Sequence, residues 1–252
     1  RYISVTGVQT CALPISRDFL LGLGRALPRP RAVLCVSAHW TTPAPRVALA
    51  RQPETIHDFY DFPEPLYDVR YPAPGSPDLA KRVLDLLAGA GIPAAGDETR
   101  GLDHGAWVPL GLMYPEADVP VVQLSVQPGL GADHHAAVGR ALAPLRHEGV
   151  LVLGSGGATH NLGDIRWTAP GEPPVEYARA FDAWLAAAVS EGRAQDLVDY
   201  RNTGPHAARN HPTPEHFLPL FAPLAASGGA GRLLHQGFTF GVLSMAAFAW
   251  EH

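Results

Sequence analysis

Three short, almost purely apolar runs stand out along the chain: AVLCVSA at 32–38, VPVVQLSV at 119–126 and VLVLG at 150–154. Runs of this length and composition are typical of strands buried on both faces, as in a parallel sheet. Residues 46–50 and 238–245 fit two further strands. The chain therefore has the material for a sheet whose central strands are fully covered.

Segments with helical spacing of apolar residues separate these runs. Residues 17–27 are followed by Pro28, which disfavours helix in the residue before it. Ser76 and Pro77 supply a capping side chain and a first-turn proline for a helix over 76–90. Similar patterns predict helices over 133–148, 175–189 and 213–226. Strands that alternate with helices predict a single α/β domain with a mixed, mostly parallel sheet flanked by helices.

Composition narrows the class of protein. The 252 residues are 46% hydrophobic with a net charge of −5, and no basic stripe is visible, which argues against nucleic-acid binding. Apolar stretches are well short of the roughly 20 residues that a membrane helix needs. The 2 cysteines exclude a disulfide scaffold. We expect a cytoplasmic monomer or small homo-oligomer.

Histidine is the unusual residue, with 12 copies. His39 follows the first apolar run and His160 follows the third, after the small residues GSGGAT. Sites in open α/β sheets form beyond the carboxyl ends of strands, so these two histidines are expected to share a site. His216 lies in the first turn of the predicted 213–226 helix, and His104 stands in a glycine-flanked turn.

Imidazole binds zinc and ferrous iron and also acts as acid or base near neutral pH. The spacing is not a local motif, so the residues alone leave a metal site, an acid–base site and structural turn residues open. His57, in the Pro- and aromatic-rich loop 51–75, is a further candidate pocket residue. We expect the histidines of the 133–148 segment to be solvated, namely His134, His135 and His147.

Several segments together resemble the DODA-type extradiol aromatic ring-opening dioxygenases. They include LPRPRAVLCVSAHW at 27–40, GLDHGAWVPL from 101, GSGGATHNL at 154–162 and HPTPEHFLPL at 211–220, in the order of the family. The resemblance covers residues 17–252. It implies one α/β domain with a mononuclear non-haem metal centre at the carboxyl ends of the strands. The implied reaction is extradiol cleavage of a small catechol by dioxygen.

The resemblance also implies roles for individual residues. His39, His160 and His216 correspond to metal ligands, His160 alternatively to the catalytic acid/base, and His104 to a residue that contacts substrate or oxygen. Ferrous iron is the expected metal for activity, with zinc as the alternative. Two other functions stay open: a zinc-dependent hydrolase with the same ligands, and a non-catalytic metal- or peptide-binding relative.

The N-terminal segment departs from the family pattern. Family members begin with a strand that ends in a Gly-His-Gly-Ser motif, whose histidine is a metal ligand, and this sequence has no such motif. Residues 5–16, VTGVQTCALPIS, instead resemble the conceptual translation of a sequencing-library adapter. We therefore expect residues 1–16 to be non-native and the catalytic domain, 17–252, to lack its first strand. Such a chain would bind metal weakly and turn over slowly or not at all.

Overall fold

A computed structural model of the protein describes residues 2–6, 14–167 and 172–250. The strands are β1 Tyr2–Thr6, β2 Ala32–Thr41, β3 Arg46–Ala48, β4 Ala95–Asp97, β5 Val121–Val126, β6 Val150–Gly156, β7 Arg232–His235, β8 Phe238–Thr239, β9 Leu243–Ser244 and β10 Ala247–Trp250. The helices are α1 Pro14–Ala26, α2 Pro77–Gly89, α3 His104–Met113, α4 Gly131–Leu142, α5 Glu176–Ser190, α6 Ala194–Val198, α7 Tyr200–Thr203, α8 Ala207–Asn210 and α9 Phe221–Ser227.

The main sheet has 8 strands in the order β4-β3-β5-β2-β6-β1-β10-β7. Strands β5, β2, β6 and β1 are parallel neighbours. Antiparallel pairs flank this centre, with β10 against β1, β7 against β10 and β3 against β5. The predicted fold class, an α/β domain with a mixed and mostly parallel sheet, is confirmed.

Alternation along the central strands explains why they read as continuous apolar runs. In β2, Leu34 and Val36 pack on one side of the sheet with α2, α4, α5 and α9. Val33 and Cys35 pack on the other side with α1 and α3. Both faces are covered by helices, so every position of the strand has to be apolar.

Some elements differ from the sequence prediction. Helix α3 was not predicted, because HGAWVPLGLM is apolar on all sides and has no polar face to give a period. The predicted strand 238–245 is wrong as a single element, since β8 and β9 pair with each other as a separate hairpin. The predicted helix 213–226 begins later, with a short 3-10 helix at Leu218–Leu220 that leads into α9.

The segment 1–16 also contributes regular structure. β1 pairs in parallel with β6, and α1 begins at Pro14, inside the segment excluded from the sequence-based fold. The register Thr6 to Gly156 places the carboxyl end of β1 at the same edge as that of β6. Whether residues 1–16 are native stays a prediction. No helix within the described ranges is long and apolar enough to cross a membrane.

Candidate metal centre

The site lies where β2 and β6 end. These strands are parallel neighbours with Val36 beside Gly154, so their carboxyl ends meet at one edge of the sheet. His39 lies near the end of β2, in the stretch between Val36 and Thr41 where the pairing with β5 is irregular. His160 follows β6 by four residues. As the strand-end argument predicts, the two histidines reach a common place.

The third predicted ligand joins them from the turn before the 3-10 helix. The ring of His216 stacks on that of His160 with centroids 3.4 Å apart and an angle of 5° between the planes. Its centroid lies 5.0 Å from that of His39. The three imidazoles that the sequence spreads over 178 positions therefore belong to one cluster, in which His216 is in ring contact with both of the others.

Small residues make the approach of His216 possible. The amide of Gly157 donates to the carbonyl of His216 at 2.7 Å. A Cβ on Gly156 would lie 2.1 Å from that same carbonyl oxygen. The GSGG stretch at the end of β6 thus allows the two backbones to touch, and this contact holds His216 over His160.

His104 adds a fourth imidazole. It is the first residue of α3, whose N-terminus is capped by the side chain of Asp103 on the amide of Ala106. Its ring centroid lies 3.9 Å from that of His39. All four site residues predicted from the sequence are thus brought together, while their individual roles as ligand, base or substrate contact stay predictions.

Two carboxylates complete the cluster. Asp58 and His104 approach to 3.0 Å between Oδ1 and Nδ1, and Oδ2 of Asp58 lies 3.5 Å from Nδ1 of His39. Glu215 Oε1 lies 3.0 Å from Nδ1 of His216. Each of two groups has metal-ligand geometry by itself. We call His39, Asp58 and His104 the first half of the site, and His160, Glu215 and His216 the second half.

Sequence reasoning missed Asp58 as a site residue and left the direction of Glu215 undecided. Asp58 lies in the irregular loop 51–75, where no period indicates which side chains point inward. Its only sequence signal is its position beside His57. His57 itself does not join the four histidines and instead packs in an aromatic cluster with Phe59, Tyr67 and Trp107.

The electrostatics suit a cation. Burial, followed by the charges of neighbouring histidines, lowers the pKa of His39 to about 3 and that of His160 to about 2. Burial acts to raise the pKa of Asp58 and Glu215, but hydrogen bonds, chiefly with His104 and His216 respectively, lower both to about 2. Neutral imidazoles beside ionised carboxylates are the protonation states that bind a divalent metal.

A buried charge network supports the first half. Asp103, which is 0% exposed, accepts from Ser37 Oγ at 2.7 Å, Gln123 Nε2 at 2.7 Å and Arg100 at 2.6 Å. Arg100 also donates to the carbonyl of His39 at 3.3 Å. One carboxylate therefore links β2, which carries His39, and the start of α3, which carries His104, with the neighbouring strand β5.

Below the second half lies a histidine that does not reach the site. His211 is 0% exposed, and its Nε2 donates to the carbonyl of Ala158 at 3.0 Å. Its ring packs against Phe181 and Phe217. His135 is also buried, with Nδ1 at 2.7 Å from the carbonyl of Gly131, so the expectation that it is solvated is wrong. Both are structural histidines.

The end of β1 points to the same edge of the sheet, and among the residues that follow it Cys11 is the side chain of a type that commonly binds metals. Residues 7–13, GVQTCAL, contain no histidine, aspartate or glutamate. The histidine that the resemblance implies after the first strand is therefore absent from this sequence.

Comparison with known proteins agrees with this geometry. Residues 23–249 match the family described as the catalytic LigB subunit of aromatic ring-opening dioxygenase. The chain is 47% identical over 240 residues to a 4,5-DOPA dioxygenase extradiol of Portulaca grandiflora, covering 93% of this chain and 88% of the relative. It is 43% identical over 229 residues to a protein of the same name from Escherichia coli K12, covering 88% and 83%.

A solved structure gives the same result for the fold. The crystal structure of an uncharacterised protein from Escherichia coli K12 superposes with a TM-score of 0.80 at 36% sequence identity, over 98% of each chain.

Proposed function

Since the chain belongs to the family of catalytic LigB subunits of aromatic ring-opening dioxygenases, we propose that it cleaves a catechol at one metal ion held by His39, His160 and His216. The ring opens beside the diol, in the extradiol manner, with dioxygen as the second substrate. The observation that carries these ligand roles is the convergence of three imidazoles at the carboxyl edge of the sheet.

The residues present fit a metal ion. Burial lowers the pKa of His39 and of His160, and His216 is in ring contact with both. The carboxylates of Asp58 and Glu215 lie at the Nδ1 nitrogens of His104 and His216. Imidazole suits both zinc and ferrous iron, so residue type leaves the two open. We propose ferrous iron for activity: when bound it supplies the redox chemistry with dioxygen, whereas zinc has no accessible redox change.

The protein's own part is to position the catechol and to move protons. A catechol that binds through its oxygens must lose at least one proton, and a neutral imidazole at hydrogen-bond distance accepts it. We propose that His104 contacts the substrate or dioxygen, and that His160 serves either as ligand or as the proton acceptor. Asp58, next to Nδ1 of His104, leaves the opposite ring nitrogen to face the substrate.

The decisive experiment is oxygen uptake with DOPA, caffeate and protocatechuate, using protein in which the native N-terminal sequence replaces residues 1–16 and which is loaded with iron or with zinc. We expect uptake and a yellow ring-opened product with iron only. Absence of uptake with every catechol would contradict the proposal, and hydrolysis by the zinc form would favour the hydrolase alternative. The curated relatives named above are dioxygenases, which favours neither the hydrolase nor the binding-protein alternative.

Single substitutions test the ligand set. His39→Ala and His216→Ala each remove a proposed ligand, so we expect cobalt(II) affinity to fall by more than about 100-fold, beyond the range for outer partners of a ligand. His147→Ala is the matched control, because His147 is an exposed histidine away from the site. His160→Gln decides its role: retained metal with lost turnover indicates a proton acceptor, and lost metal indicates a ligand.

The N-terminal segment requires its own test. We propose that residues 1–16 are non-native and that the catalytic domain is 17–252, and that a histidine from the native first strand completes the metal site. The genomic sequence upstream of residue 17 tests this directly. With that sequence in place of residues 1–16, we expect tighter metal binding and faster oxygen uptake. Equal affinity and rate in both forms would contradict the assignment.

A further inference from the structure

Hydrogen bonds fix the loop that carries Asp58 to the start of α3 and to the residues just before it. The amide of Ile56 donates to the carbonyl of Leu102 at 2.7 Å, and the amide of Leu102 donates to Glu54 at 2.7 Å. The indole of Trp107 donates to the carbonyl of Ile56 at 2.9 Å. These bonds hold the loop beside His104, so the position of Asp58 is built into the fold rather than left to a mobile side chain.

The carboxylate of Asp58 meets two histidines at once. Its Oδ1 accepts from the backbone amide of His104 at 2.9 Å and lies 3.0 Å from the Nδ1 of the same residue. Its Oδ2 lies 3.5 Å from Nδ1 of His39. The side chain of Asp58 is only 23% exposed, so water screens these contacts weakly.

Both rings lie at ion-pair distance from the carboxylate, and among the described residues Nδ1 of His104 has no hydrogen-bond partner. When either ring turns Nδ1 into line with Asp58, a hydrogen bond forms only with the proton on Nδ1, because a carboxylate accepts but does not donate. The proton then sits on Nδ1, and Nε2 keeps its lone pair for a metal ion or for a substrate proton. Carboxylates behind metal-binding histidines act in this way in many proteins, and they also raise the affinity of the ligand for the metal.

We propose that Asp58 is a positioning residue that fixes His39 and His104 together as Nδ1-protonated imidazoles, one as ligand and the other as substrate contact. The inference rests on the proposed function for the roles of the two histidines. It adds a residue that acts through both of them and couples their orientations. Asp58 is not itself a ligand on this account, although it forms a ligand-like group with the same two histidines.

Asp58→Asn is the sharp test, because an amide has one acceptor and one donor where the carboxylate has two acceptors. The amide cannot accept from both rings, so at least one ring must change to the Nε2-protonated tautomer. Asp58→Glu keeps two acceptors and is the conservative rescue. Asp61→Asn makes the same chemical change in the same loop at an exposed residue whose φ of 62° asparagine tolerates.

Two measurements need no catechol. The first is the nitrogen NMR spectrum of histidine-labelled, metal-free protein at a pH above the ordinary histidine value of about 6.5. We expect Nδ1-protonated rings at 39 and 104 in the parent chain and in Asp61→Asn, and an altered tautomer in Asp58→Asn. The second is cobalt(II) titration, in which Asp58→Asn weakens binding by about 10- to 100-fold and Asp58→Glu recovers most of the affinity.

Two results would overturn the inference. One is an Asp58→Asn protein that keeps both tautomers and the parent affinity for cobalt(II). The other is a loss of cobalt(II) as complete as that of His39→Ala without recovery in Asp58→Glu, which would make Asp58 a ligand. Circular dichroism of each variant shows that it is folded. Failure of the proposed catechol chemistry would appear separately, as absent oxygen uptake by the chain with its native N-terminal sequence restored, while the parent chain still shows the tautomer and affinity effects.

Discussion

The two halves of the site have the same composition, since each contains two imidazoles and one carboxylate. What holds them differs. The first half rests on the buried Asp103, whose oxygens bind side chains from β2, β5 and the loop before α3. The second rests on close backbone contact, through Gly156 and Gly157 against the carbonyl of His216.

This difference has a physical consequence. A buried carboxylate that satisfies several donors is costly to remove, because each donor then loses its partner in a region that water does not reach. Close backbone packing is instead sensitive to added volume, since main-chain atoms cannot move aside as a side chain does. The first half should therefore be vulnerable to loss of charge, and the second half to the addition of a single methyl group.

The largest expected effect is the loss of Asp103. Asp103→Ala leaves the guanidinium of Arg100, the amide of Gln123 and the hydroxyl of Ser37 without their acceptor. We expect the free energy of unfolding in urea to fall by about 3 to 5 kcal/mol. Asp118→Ala is the control, since Asp118 pairs with Arg29 at the surface and should change stability by less than about 1 kcal/mol. Equal losses in both variants would remove the distinction between the halves.

A methyl group added at a glycine should lower stability and metal binding more in the second half than in the first. A Cβ at Gly156 would lie 2.1 Å from the backbone oxygen of His216, whereas one at Gly105 would lie 2.4 Å from the hydroxyl of Ser37, a side-chain atom. We expect Gly156→Ala to cost about 1 to 3 kcal/mol of stability and to weaken cobalt(II) binding, with a smaller effect for Gly105→Ala.

A third glycine calibrates this comparison. Gly22 lies in α1 with nothing within 4 Å of an added Cβ, so Gly22→Ala should stabilise the protein by about 0.5 to 1 kcal/mol. A larger loss at Gly105 than at Gly156, measured by urea unfolding and cobalt(II) titration, would show that side-chain contacts are the less tolerant ones.

The parts of the molecule that sequence predicts well are those with a strong period or a strand end. The buried runs at β2, β5 and β6 were predicted because both faces of each strand must be apolar, and His39 and His160 follow from the ends of two of them. His216 depended on the resemblance, because its turn precedes the 3-10 helix and has no period of its own. Asp58 lies in a loop whose course is set by long-range backbone bonds, which no local pattern encodes.

Strand β1 was not predicted from the sequence, for a different reason. Its backbone pairs with β6 and β10, but the segment around it gives no period or capping signal that sequence reasoning could use. Helix α3 is a similar case, since a helix buried on all sides looks like any apolar stretch. In each case tertiary contacts decide the local structure, and these contacts are invisible along the chain.

The last prediction concerns the pH dependence of the second half, which packs on a buried neutral histidine, whereas the first half rests on a charged network. His211 is enclosed by aromatic rings, and its Nε2 proton is given to the carbonyl of Ala158, two residues before His160. Burial lowers its pKa from 6.5 to about 3. The unfolded chain therefore binds a proton between these two values that the folded chain does not bind, so stability falls as the pH falls through this window.

The size of the effect follows from the linkage of protons to folding. In metal-free protein, His211 should contribute up to about 1.4 kcal/mol of lost stability for each pH unit below its unfolded pKa, and nothing above it. His211→Gln keeps a donor for Ala158 but does not titrate, so its unfolding free energy between pH 6 and pH 4, roughly the middle of the window, should fall less steeply than that of the parent chain. His147→Gln, at an exposed position, should keep the parent slope. Parallel curves for the parent and His211→Gln would mean that this histidine is protonated as easily in the folded chain as in the unfolded one, and that the second half owes its acid sensitivity to other groups.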